Sequence, residues 1–157
     1  MHLRPAAIAL VAVGGVLGTA AREGLSLAIP PVAGVPVAIF GINIVGAFVL
    51  GVLLESLLIR GPDEGARRNV RLFVGTGVLG GFTTYSALAT DTDLLIRAGA
   101  VWTAIGYALA TVVVGGLASL LGIWLAGRFG RRAGSGGAEA APAAPTAGSG
   151  AGAGAGS

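Results

Sequence analysis

The chain has 157 residues, of which 54% are hydrophobic and 11% charged, and its formal net charge is +3. Globular domains carry roughly 25% charged residues, so this composition excludes an ordinary water-soluble fold. Cysteine and lysine are absent and His2 is the single histidine, which excludes disulfides, thiolate chemistry and histidine-based acid–base or metal sites.

Four apolar spans follow one another, each close to the ~20 residues that cross a hydrocarbon core of about 30 Å. The first covers residues 5–21 and ends beside Arg22. Its apolar run before Thr19-Ala20-Ala21 imitates a cleavable secretory signal. Gly14-Gly15 within it, and the multi-span chain that follows, favour a retained span. A turn rich in Pro30, Pro31 and Gly34 leads to the second span, residues 36–59, which carries Asn43 about a third of the way along. An amide at that depth needs a partner. It is read either as an interhelical hydrogen bond or as an anion ligand through its NH₂.

A polar loop containing Gly61-Pro62-Asp63-Glu64 precedes the third span, residues 69–90. Here Gly80-Gly81-Phe82-Thr83-Thr84-Tyr85-Ser86-Ala87-Leu88 places a double glycine and several hydroxyls inside an apolar segment. Lipid cannot satisfy freed backbone groups, so the stretch is expected to be buried in protein or to line an ion path. Unwinding is expected at Gly80-Gly81. Carbonyls turned inward there would suit a hard cation, and the hydroxyls of Thr83, Thr84 and Ser86 an anion. Tyr85 offers a positive ring edge.

Asp91 and Asp93 are read as part of the loop to the fourth span, residues 100–126. In that span Tyr107, Thr111 and Gly115 share one helix face. The face reads as a hydrated track or as small-residue packing. Residues 1–132 thus form one four-span domain. Residues 133–157 are an Ala/Gly/Ser/Pro tail that is expected to be disordered.

With four spans both termini lie on one side. Arg4, Arg60, Arg67, Arg68, Arg71, Arg128, Arg131 and Arg132 fall there, and only Arg22 and Arg97 fall opposite. The positive-inside rule puts both termini in the cytoplasm. The arginines form no patch interleaved with aromatics, so the isoelectric point near 10.6 is read as membrane-flanking charge and not as a nucleic-acid site. No carboxylate lies deep in a span, which argues against proton coupling. No nucleophile–base pair or Gly-rich phosphate loop is present, so an enzyme is not expected.

Taken together these motifs resemble the Fluc/CrcB family of fluoride channels. The first-span pattern is carried by Gly14, Gly15, Gly18 and Arg22, the second by Asn43, Gly46 and Gly51. The third runs over Gly80 to Ser86, and the fourth is carried by Tyr107 and Thr111. The resemblance spans residue 5 to about residue 127. It implies an all-α membrane protein whose third helix is broken at mid-membrane, built as an antiparallel two-subunit channel that passes fluoride passively. It implies a structural sodium ion at the dimer centre, held by the carbonyls of Gly80 and Thr83. It implies a fluoride path through Asn43, Thr84, Tyr85, Ser86, Leu88, Tyr107 and Thr111, with Arg22 at the vestibule. Tyr85 and Leu88 stand where the family carries phenylalanines. With the strong charge bias, this departure points to pairing with an oppositely oriented relative. Two competing readings are a non-conducting, structural subunit and a small multidrug exporter. The exporter should carry an acid within its first span; here Glu23 lies only at the edge.

Overall fold

The computed structural model describes residues 5–135, with side chains to 130. Among the described residues four stretches are long and apolar enough to cross a membrane: Pro5–Ala28, Val37–Ile59, Gly65–Arg97 and Val101–Gly130. All are helical except at Thr83-Thr84 in the third. Helix α1 spans Pro5–Ala28 and α2 spans Val37–Ile59. The third span is segmented into α3 (Gly65–Val70), α4 (Arg71–Leu79), α5 (Gly80–Phe82) and α6 (Tyr85–Arg97). Helix α7 covers Val101–Ser135.

The helices outrun their expected limits. Helix α1 continues through Arg22 to Ala28, so Arg22 lies inside a helix and does not close it. Asp91 and Asp93, read as loop residues, are helical; the connection to α7 is only residues 98–100. A helix rises about 1.5 Å per residue, so the 24-residue α1 is about 36 Å long, longer than a hydrocarbon core of about 30 Å. Helix α7 takes in residues 133–135, which were assigned to the tail. Residues 136–157, the rest of that tail, lie outside the described residues.

Glycine decides how the helices pair. The hydrophobic effect does not drive helices together in lipid, so close backbone approach must do so. A methyl on Gly14 would overlap the Phe73 carbonyl, and one on Gly18 the Val78 carbonyl. From the other side, a methyl on Gly81 would overlap the Gly15 carbonyl. Helix α1 therefore lies backbone to backbone along α4 and α5. Gly51 and Gly122 play the same part between α2 and α7, against the carbonyls of Ser119 and Phe48. A small core of Ile39, Ile42, Leu88, Leu95, Ala104 and Tyr107 closes the space among α2, α6 and α7.

The turn between α1 and α2 is a tight one. Val32 and Val35 exchange both backbone hydrogen bonds, at 3.0 and 2.9 Å. The two central residues, Ala33 and Gly34, have positive φ of 51° and 78°. Such a turn needs left-handed backbone at both positions, which glycine adopts freely and alanine does not.

The arginine distribution follows this architecture. Ala6 and Ala7 of α1 flank the same groove as Arg68 and Asn69. At the same end Ile59 and Arg60 share a groove with Phe129 and Gly130 of α7. Arg60, Arg67, Arg68, Arg71 and Arg128 thus gather at one end of the bundle, away from Arg22 and Arg97. In the loop at that end Arg71 pairs with Asp63 at 2.7 Å and holds its carboxyl below the usual carboxylate range.

Candidate functional site

The third span is where regular structure gives way. Residues Arg71–Leu79 form wide helical turns with i→i+5 bonding. Such turns are rare and recur at functional sites. One short turn later the helix stops. Thr83 has φ −76° and ψ 151°, and Thr84 has φ −150° and ψ 127°. The double glycine, where unwinding was expected, is itself helical; the extended pair lies just after it.

Extended residues in apolar surroundings leave backbone groups to be satisfied. Asn43 on α2 satisfies both at Thr84. The Thr84 N–H donates to Asn43 Oδ1 at 2.8 Å, and Asn43 Nδ2 donates to the Thr84 carbonyl at 3.1 Å. The amide side chain thus mimics a strand neighbour for one residue. Asn43 thus makes the interhelical bond, which uses one of its two Nδ2 hydrogens.

The Thr84 side chain starts the next helix. Its Oγ1 accepts from the Ala87 N–H at 3.2 Å, an N-cap for α6. It also lies 3.1 Å from Ser86 Oγ. Thr83 reaches back, with its N–H and its Oγ1–H both donating to the Leu79 carbonyl at 2.9 Å. Its methyl faces Gly46, and a methyl on that glycine would collide with it.

These bonds have a consequence for two carbonyls. In a continuous helix the Thr84 N–H would close on the Gly80 carbonyl and the Ala87 N–H on the Thr83 carbonyl. Both donors are engaged elsewhere. Gly80 faces open space, with nothing within 4 Å of an added methyl.

The expected path residues divide into two groups. Tyr85 is 82% exposed, and Ser86 is exposed beside it. The Thr84–Ser86 hydroxyl pair lies beside them. The other group is turned into the chain's own core. Leu88 is 7% exposed and packs with Ile39, Ile42 and Tyr107. Tyr107 is buried, its OH 3.3 Å from both the Pro36 carbonyl and Asp91 Oδ2. Thr111 is buried and donates to the Tyr107 carbonyl at 2.7 Å. Gly115 is buried, with Ile44 of α2 alongside. Along Tyr107–Thr111–Gly115 α7 therefore packs against the chain's own helices, and the hydroxyls of Thr83 and Thr111 donate to carbonyls one turn back. Arg22 makes no hydrogen bond or ion pair among the described residues.

Two participants escaped the sequence reading. Thr19 Oγ1 lies 3.4 Å from the Gly81 carbonyl; its place one turn after Gly15, on the glycine face of α1, is the signal that was available. Asp91 joins Tyr107 through the hydrogen bond above, and its charge had suggested a loop. Among the described residues no cluster of three or more His, Cys, Asp or Glu side chains could hold a metal ion.

Comparison with known proteins places this geometry in a family. A family model described as CrcB-like protein, Camphor Resistance (CrcB), matches residues 9–123. The chain is similar to the fluoride-specific ion channel FluC 2 of Leifsonia xyli subsp. xyli, 60% identical over 134 residues, covering 85% of this chain and 92% of that protein. It is 50% identical over 115 residues to FluC 1 of Cutibacterium acnes, covering 73% and 80%. It is 44% identical over 126 residues to FluC 1 of Streptomyces coelicolor, covering 80% and 77%. The family model's match runs from the first span into the fourth and includes the positions of Asn43 and Thr84, and the chain belongs to the CrcB family.

Proposed function

We propose that this chain is a subunit of a fluoride-specific ion channel that lets fluoride leave the cytoplasm passively. The observation that carries the reading is the Asn43–Thr84 pairing at an extended interruption of an apolar span. Fluoride is small and tightly hydrated, so a selective path must replace its water with donors. The remaining Asn43 hydrogen, the Thr84–Ser86 hydroxyl and the Tyr85 ring edge and OH are such donors. Relatives named fluoride-specific ion channels support the same ion. With both termini cytoplasmic, as the arginine bias argues, the inside-negative potential favours anion exit by about 2.3 kcal/mol per 100 mV.

The interruption at Thr83-Thr84 is taken as the mid-membrane break of the third span. Two carbonyls with their usual helical donors diverted, and no side-chain metal cluster among the described residues, fit a sodium ion held by backbone oxygen. Gly80 and Thr83 would hold it. Its chemistry is structural: a fixed positive charge that draws two subunits together at their breaks. The exposure of Gly80, Tyr85 and Ser86 supports an antiparallel partner seated there.

A second reading has its own support. Leu88 is packed in the core, where it offers an anion no polarised edge, and the charge bias resists dual insertion. The subunit then pairs with an oppositely oriented relative that completes the pore, or serves a structural role in it. Fluoride-electrode efflux from liposomes holding the chain alone, and with such a relative, separates the two. Efflux from the chain alone rejects the obligate partner.

A further inference from the structure

One groove at the arginine-rich end has none of the residues of the Asn43–Thr84 contact in its lining. It lies between α1 and the start of the third span, about 560 Å³ in volume. Ala6, Ala9, Leu10 and Val13 form one wall and Leu72 and Phe73 the other. The alanines keep it open, since they are too small to fill the gap to the neighbouring helix. Its walls run along the spans, where the surroundings are acyl chains. At its mouth stand Arg68 and Asn69.

The charge at that mouth is one-sided. Arg68 makes no hydrogen bond or ion pair among the described residues. The neighbouring acid, Asp63, is already held by Arg71 at 2.7 Å. Arg67 donates to the Arg60 carbonyl and keeps its positive charge. A cationic mouth above an apolar groove between membrane helices is the form that binds an anionic phospholipid, with its headgroup on the guanidinium and one acyl chain in the groove.

We propose that this groove is a binding site for an anionic phospholipid, with Arg68 and Asn69 on the headgroup phosphate and the Ala6–Val13 face along an acyl chain. The site is independent of the fluoride reading, since none of its residues lies at the Asn43–Thr84 contact.

Native mass spectrometry of the full detergent-purified chain tests it. The probes are phosphatidylglycerol, phosphatidylcholine of the same acyl chains, and inorganic phosphate. The chain should retain phosphatidylglycerol over phosphatidylcholine, and Arg68→Gln should lower that preference by about five-fold, the effect of one arginine near a charged headgroup. Ala9→Trp should displace the lipid by filling the groove with Arg68 intact. Arg97→Gln, at the opposite end, should leave retention unchanged. Equal retention of the two lipids would overturn the proposal. So would a preference that survives Arg68→Gln, or one that Arg97→Gln lowers as much. Displacement by millimolar inorganic phosphate would show a free-anion site and overturn it as a lipid site.

Discussion

The Asn43 side chain brackets the backbone of Thr84, accepting from its N–H at 2.8 Å and donating to its carbonyl at 3.1 Å. One amide on α2 therefore holds the interruption of the third span. Asn43→Asp keeps the acceptor but sets a carboxylate against the Thr84 carbonyl. Asn43→Leu leaves both Thr84 groups unpaired, at about 1–3 kcal/mol each. Both variants should lower the apparent melting temperature in detergent, Asn43→Leu more, as read by fluorescence-detected gel filtration. Wild-type melting in both would show that the pairing contributes nothing.

Gly46 and Thr83 form a second, steric pair. Gly46→Ala drives a methyl into the Thr83 methyl, and overpacking of this kind costs about 1–3 kcal/mol. Thr83→Ser removes that methyl and keeps the hydroxyl bond to the Leu79 carbonyl. The double variant should recover most of the stability lost in Gly46→Ala. A double-mutant cycle with no coupling would place the clash elsewhere.

Much of this arrangement was legible in the sequence, and the remainder has identifiable physical causes. Apolar runs of membrane length announced the four spans, because length and hydropathy suffice for that. Asn43 and the hydroxyl cluster stood out because polar groups are rare at that depth. The site of the interruption did not follow from composition. The double glycine drew attention as a helix breaker, yet Gly81 is small because the Gly15 carbonyl presses on it. Of the two extended threonines, Thr84 is held from outside by an amide 41 residues earlier in the chain, and Thr83 by the Leu79 carbonyl one turn back. Tyr107 and Thr111 form a polar stripe in sequence, and in the fold the Tyr107 hydroxyl lies 3.3 Å from the Pro36 carbonyl while that of Thr111 donates to the Tyr107 carbonyl.

The turn at Ala33 offers a test of local strain. Alanine at φ 51° carries a left-handed penalty of about 1 kcal/mol. Ala33→Gly removes it and returns part as unfolded-chain entropy. The variant should be more stable by about 0.5 kcal/mol in thermal unfolding. A destabilised variant would mean that the Ala33 methyl makes a contact that outweighs the strain.

The Asp63–Arg71 pair should give a small acid-sensitive contribution to stability. The hydrogen bond from Arg71 holds the Asp63 pKa below the ordinary carboxylate range. A depressed carboxyl stabilises the fold above its unfolded pKa, and the gain fades as pH falls through the folded value. Asp63→Asn should therefore melt slightly below wild type at pH 7, and the two should converge as the pH falls below the ordinary carboxylate range. Both groups face water, so the difference is small and weakens in salt. A gap that widens on acidification would reverse the sign and refute the pairing.

Fluoride flux through the Asn43-held interruption is the central claim, and ion efflux from liposomes tests it most directly. The full chain is reconstituted alone and with an oppositely oriented relative, and fluoride and chloride efflux are followed by ion-selective electrodes. In at least one preparation fluoride should leave and chloride should stay, and Asn43→Asp should abolish the fluoride signal. No fluoride efflux in either preparation, equal passage of chloride, or unchanged flux in Asn43→Asp would contradict it.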